Sequence, residues 1–150
     1  MQMHFEPVND ENRSTIESLH PSLEQIDFIE SVKECMSEAD AYEGWRPHGV
    51  YVGDELVGFV MYGYFEEPKP RLWLDRILID EHYQGKGYGQ QLVHAMLKRL
   101  ADEYPFMDEI TLSVYDTNPC AIHVYEKAGF RFNGELDTKG EKIMVYKIER

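Results

Sequence analysis

The stretch Gln84-Gly85-Lys86-Gly87-Tyr88-Gly89 constrains this chain more than any other. It follows the apolar run Leu72 to Ile79 and opens a long amphipathic segment. A strand, a glycine turn and a helix start in that order build an anion site. Glycines let a ligand approach the backbone, and the first turn of a helix carries N–H groups with no helical acceptor. The anion is expected to be part of a larger cofactor. Spacing excludes two familiar phosphate loops. The Walker pattern G-x-x-x-x-G-K-[ST] is absent. The dinucleotide pattern G-x-G-x-x-G fails because the third glycine comes one residue early, in mid-chain.

Hydrophobic periodicity and breaker residues predict a mixed α/β chain in the order β-α-α-β-β-β-α-β-α-β-β. His4 to Val8 reads as a strand, Asn9 to Leu19 as a helix stopped by Pro21, and Ile26 to Ala41 as a second helix. Gly49 to Val52, Leu56 to Phe65 and Leu72 to Ile79 read as strands, the first two joined by a Gly53-Asp54 turn. Gly87 to Tyr104 is the clearest helix, with Tyr88, Leu92, Val93, Met96, Leu97, Leu100, Ala101 and Tyr104 in one stripe. Glu109 to Tyr115 is a strand. Asn118-Pro119 caps a helix ending at Gly129, and Arg131 to Leu136 and Lys142 to Ile148 close the chain as strands. No repeat or linker divides it, so residues 1–150 are expected to form one domain.

The formal net charge is −13, and it is unevenly placed. Residues 1–70 hold 15 Asp and Glu against 4 Lys and Arg, whereas residues 71–150 hold 13 against 11. Nucleic-acid binding by charge is excluded on that balance. The acidity serves solubility, or it lets the first half face a cationic partner. No apolar run reaches the roughly 18 residues of a membrane span, and no secretion signal opens the chain. Cys35 and Cys120 lack redox or metal spacing, as do His20, His48 and His82. The expectation is a cytoplasmic protein with reduced thiols and no metal site.

The turn gains meaning from residues downstream of it. Gln84, Gly87 and Gly89 match [RQ]-x-x-G-x-[GA], and Asn118, Ala121, Tyr125, Gly129 and Phe130 match N-x-x-A-x-x-x-Y-x-x-x-G-F. On these two elements and the element order, the chain resembles the GCN5-related N-acetyltransferase (GNAT) family. The segments Leu74 to Asp80, Phe132 to Asp137 and Gln25 to Ser31 look like those of the family's bacterial polyamine acetyltransferases.

The resemblance implies a central mixed, mostly antiparallel sheet flanked by helices, with acetyl-CoA as acyl donor and a primary amine of spermine or spermidine as acceptor. It implies that backbone groups of Ile77, Leu78 and Ile79 pair with the pantetheine arm. The pyrophosphate would sit on Gln84 and the N–H groups from Gly85 through Lys86, Gly87, Tyr88 and Gly89 to Gln90. Lys86 is either an extra phosphate contact or merely solvated. Asn118 would bond the cofactor beyond the thioester, besides its role as a helix cap. A homodimer is the family's habit, with Arg131 to Ile148 as interface material.

Acetyl transfer to an alkylamine needs two proton movements. The ammonium, with a pKa near that of lysine at about 10.4, must lose a proton, and the leaving thiolate benefits from gaining one. Tyr125 matches the family's general acid. Asp75 is a base, acting through a water, or an amine anchor; its structural alternative is a salt bridge with Arg71 or Arg76. Strand alternation makes the Arg76 pairing geometrically poor. Ser113 stands where many relatives carry a glutamate. Glu24, Asp27, Glu30, Glu34 and Glu43 are candidates to attract a polycation. Tyr62, Tyr64 and Trp45 are candidates for an acceptor channel, while Trp73 is expected in the core. Other amines remain open as acceptors, namely an antibiotic, a small diamine or a protein N-terminus. So does an acyl-CoA-binding module without turnover.

Overall fold

The computed structural model describes residues 3–20, 32–67, 69–114, 119–137 and 140–149. In chain order its elements are β1 (Met3–Pro7), α1 (Arg13–Glu17), α2 (Val32–Ala41), β2 (Trp45–Val52), β3 (Glu55–Phe65) and β4 (Arg71–Ile79). A 3₁₀ turn (Glu81–Tyr83), α3 (Tyr88–Glu103), β5 (Glu109–Val114), α4 (Pro119–Ala128), β6 (Arg131–Leu136) and β7 (Lys142–Lys147) complete the chain. The order is the one periodicity predicts, with the 3₁₀ turn added.

Two boundaries moved for local reasons. The first helix starts at Arg13 because Asn9 and Asn12 hold the preceding turn. Asn9 Oδ1 accepts from the N–H groups of Glu11 and Asn12, and Asn12 Oδ1 accepts from Asn9 N–H. These side chains offer the backbone an alternative to helical bonding. β2 starts at Trp45 and runs through Pro47. The Pro47 carbonyl accepts from Val8 N–H at 3.1 Å, on the β1 side. Its nitrogen faces the same way, so the missing N–H costs the β3 ladder nothing.

The strands form a sheet in the order β1-β2-β3-β4-β5-β7-β6. All neighbours are antiparallel except β4 and β5. One face carries α3 and α4 over a core that includes Val50, Val60, Leu72, Leu74, Leu92, Met96 and Phe130. The other carries α1 and α2 over Ile16, Val32, Cys35, Met36, Phe59, Met61 and Leu78. The parallel ladder between β4 and β5 consists of one register pair among the described residues, Trp73 opposite Thr111. Beyond it, toward Ile79, no described residue of β5 pairs with the edge of β4. That opening positions the site.

Candidate active site

Alternation along β4 decides which backbone groups face the opening. Asp80 N–H bonds the Val57 carbonyl at 2.8 Å, so Asp80 faces β3. Leu78, two residues back, must face β3 as well, while the N–H and C=O of Ile77 and Ile79 face the gap. The expectation for Leu78 is therefore corrected. Its backbone belongs to the β3 ladder, and its side chain is buried in the α2-side core.

The glycine turn begins where β4 ends. Asp80 accepts from His20 N–H at 2.8 Å and from His82 N–H at 3.2 Å and Nδ1 at 2.7 Å, which caps the 3₁₀ turn. Burial alone would raise the Asp80 carboxyl, but these bonds hold it below its ordinary pKa. Gln84 Nε2 donates to the Ile79 carbonyl at 2.7 Å. Gly85 and Gly87 have φ of 77° and 78°, in the left-handed region. A Cβ at Gly85, Gly87 or Gly89 would meet nothing within 4 Å. The α3 ladder starts with Gln91 N–H on the Gly87 carbonyl. The N–H groups of Tyr88, Gly89 and Gln90 thus have no helical acceptor at the positive end of the helix dipole. This cradle suits a pyrophosphate. Lys86 is exposed on it, and the Tyr88 ring turns toward Tyr83, with ring centroids 6.3 Å apart.

Four residues earlier β4 carries a β-bulge. Tyr62 opposes Leu74 and Met61 opposes Arg76, which leaves Asp75 as the extra residue. The bulge resets the alternation. Leu72 and Leu74 face the α3 side before it, and Ile77 and Ile79 face the same side after it. Asp75 and Arg76 consequently share the opposite face. Arg76 Nη1 lies 3.2 Å from Asp75 Oδ2, and both side chains are 13% exposed. The expectation that these neighbours point apart is overturned by the extra residue.

Both line a cavity of about 610 Å³ on the α2 face of the sheet. Glu38, Glu67, Asp75, Asp137 and Glu141 bring carboxylates to it. Tyr42, Trp45, Phe65 and Trp73 supply aromatic faces, and Ser113 contributes from β5. Glu141 is only 9% exposed. Arg71, also on the wall, is bonded to Glu135. Such a lining attracts ammonium groups and packs the alkyl segments between them.

Several candidates sit elsewhere. Tyr62 lies on the α3 face, 3% exposed, and donates to Glu103 at 2.8 Å. Burial and that carboxylate raise its phenol to about 12. It is a core residue, and its phase differs from that of Asp75 because of the bulge. Tyr64 packs near Tyr104 and Phe106. Glu34 and Glu43 are exposed and do not line the cavity, whereas Glu38, one turn after Glu34, does. Glu24, Asp27, Glu30 and Asn118 lie outside the described residues. Trp73, expected in the core, lines the cavity. Glu38, Tyr42, Glu67, Asp137 and Glu141 escaped the sequence because no local pattern links them; folding alone brings them together.

Tyr125 projects from α4 and packs against the α3-side core, its ring 5.8 Å from that of Phe130. Burial pushes its phenol up to about 12, and the positive charge of Arg76 acts in the opposite direction. The phenol therefore keeps its proton at neutral pH and can donate it.

The acetyltransferase (GNAT) family profile matches residues 11–130 of the chain. The chain belongs to this family. It is 43% identical to the spermine/spermidine N(1)-acetyltransferase of Bacillus subtilis (strain 168), over 99% of this chain and all of that one. The acetyltransferase also shares its fold with spermidine N-acetyltransferase from Vibrio cholerae, solved with CoA and spermine. There the TM-score is 0.71 at 20% identity, covering 98% and 96% of the two chains. The aminoglycoside acetyltransferase AAC(6')-Ib, solved with an aminoglycoside and acetyl-CoA, aligns with a TM-score of 0.81 at 20% identity over 98% and 94%. One fold thus serves quite different amines, and the acceptor has to be argued from the site.

Proposed function

We propose that this acetyltransferase moves the acetyl group of acetyl-CoA onto a primary amine of a polyamine, spermine or spermidine. The observation that carries this is the cavity: five carboxylates and four aromatic rings beside the open edge of β4. A linear polycation presents ammonium groups separated by short alkyl chains, which suits both surfaces. The full-length identity to the Bacillus enzyme supports the same acceptor class.

In this reaction the amine nitrogen, once neutral, attacks the thioester carbonyl, the C–N bond forms and the C–S bond breaks. The proton lost by the ammonium leaves through water. The attacking nitrogen loses a second proton as the C–S bond breaks, the thiolate takes its proton from Tyr125, and the second amine proton, passed through water, restores the phenol. Ile77 N–H and C=O and Ile79 N–H hold the pantetheine arm along the open edge, and the turn from Gln84 to Gln90 holds the pyrophosphate. Asp75, ion-paired with Arg76 at 3.2 Å, anchors the acceptor. The cavity opens on the α2 face and Tyr125 sits on the α4 side, so acceptor and leaving group meet at the gap from opposite faces.

The experiment is CoA release with acetyl-CoA and a panel of spermine, spermidine, putrescine, lysine and an aminoglycoside. Turnover is expected on spermine and spermidine. No turnover on either overturns the polyamine reading, and binding of acetyl-CoA without turnover on any amine makes the chain a binding module.

A further inference from the structure

A cavity that selects a polycation through carboxylates creates a problem for its own chemistry. Asp75 on β4, Glu38 on α2, Glu67 after β3, and Asp137 and Glu141 between β6 and β7 all stabilise ammonium. Only the neutral amine attacks a thioester. Something must oppose these charges at the reacting nitrogen. Arg71 is engaged by Glu135 at the wall. Arg76 lies next to Ile77, whose backbone faces the gap, and the bulge turns its guanidinium into the cavity beside Asp75. An arginine in a polycation site weakens binding, so its place there calls for a role in the reaction.

We propose that Arg76 lowers the pKa of the acceptor's reacting ammonium, so that the nitrogen at the gap gives up its proton more readily than the remote nitrogens, which stay charged on the cavity carboxylates. The inference rests on the amine-acceptor reading of this cavity. The step is R–NH3+ to R–NH2 with the proton released to water, followed by attack on the thioester. A cation a few ångströms from an ammonium disfavours the charged form by about one pH unit or more. The same charge reaches Tyr125 from the other side of the gap and makes its phenol a better donor. Asp75 acts in the opposite sense, and the pair balances hold against release.

The test is the single-turnover rate of acetyl transfer to spermidine between pH 6 and 10, for the wild type, Arg76→Gln, Arg76→Lys and Asp75→Asn. Arg76→Gln should move the acid limb up by about one pH unit. The rate should then fall about tenfold at pH 7 and come back within about threefold of wild type near pH 10. Its KM for spermidine should fall, because a like charge is gone. Asp75→Asn should move the limb the other way, and Arg76→Lys should keep the wild-type limb. If Arg76→Gln does not fold, the downward shift of Asp75→Asn against the unmoved limb of Arg76→Lys carries the test. An unchanged limb, equal loss at every pH, or shifts in one direction for both neutralised variants would overturn the proposal. A wild type that turns over no amine would overturn the function reading instead.

Discussion

The side chain of Gln84 reaches back to the Ile79 carbonyl at 2.7 Å and ties the glycine turn to the end of β4. One amide thus sets the position of the glycine turn relative to the end of β4. Gln84→Ala removes a bond worth about 1 kcal/mol, so the affinity for CoA should fall roughly fivefold. Calorimetric titration with CoA checks this; unchanged affinity would mean that the bond does not position the cradle.

Gly87 and Gly89 should respond differently to alanine. Gly87 has φ of 78°, where a side chain costs about 1 kcal/mol, so Gly87→Ala should lower the melting temperature. Gly89 lies inside α3 with open space around its Cα, so Gly89→Ala should leave stability unchanged or raise it. Both should weaken CoA binding by filling the space a phosphate would use. Normal CoA affinity in Gly89→Ala would show that the ligand does not approach there.

Tyr125→Phe should lower kcat about 100-fold, the scale of general-acid catalysis, with CoA affinity unchanged. The phenol is pushed up to about 12, so wild-type activity should not show a tyrosine titration below pH 9. Equal turnover by the phenylalanine variant would remove Tyr125 as the acid.

His48 gives the fold a pH dependence of its own. It is buried, stacked on Tyr62, and desolvation holds its pKa below 6.5 despite the bond between Nδ1 and the Arg46 carbonyl. Between the unfolded value and that lower folded value the unfolded chain binds more protons, so stability is present above pH 6.5 and lost as pH falls below it. His82, raised by its bond to Asp80, acts in the opposite sense. Urea unfolding at pH 7.5 and 5.5 should show a loss in the wild type that shrinks in His48→Gln. An equal loss in both would place the acid sensitivity elsewhere.

The element order and the glycine turn were legible in the chain because their determinants are local. A strand, a glycine turn and a helix start are contiguous, and so are the positive φ values and free N–H groups that make an anion site. The long stripe of α3 likewise carries its own period, and five of its members are fully buried. Tyr125 is marked by its spacing from Asn118-Pro119.

The acceptor side depended on tertiary structure. Its wall comes from α2, the end of β3, β4, β5 and the β6–β7 connection, and no spacing in the chain links Glu38 to Glu141. The orientation of Asp75 depended on pairing. Alternation along an isolated strand sends Asp75 and Arg76 to opposite faces. The β3 register, with Tyr62 on Leu74 and Met61 on Arg76, leaves one residue over and puts both on one face. The same register carried Tyr62 into the core and Trp73 to the cavity. By itself, then, the sequence determined the family, the order of elements and the glycine turn, since those reside in consecutive residues. Only the tertiary structure decided which side chains line the cavity, because register and bulges are properties of two strands together.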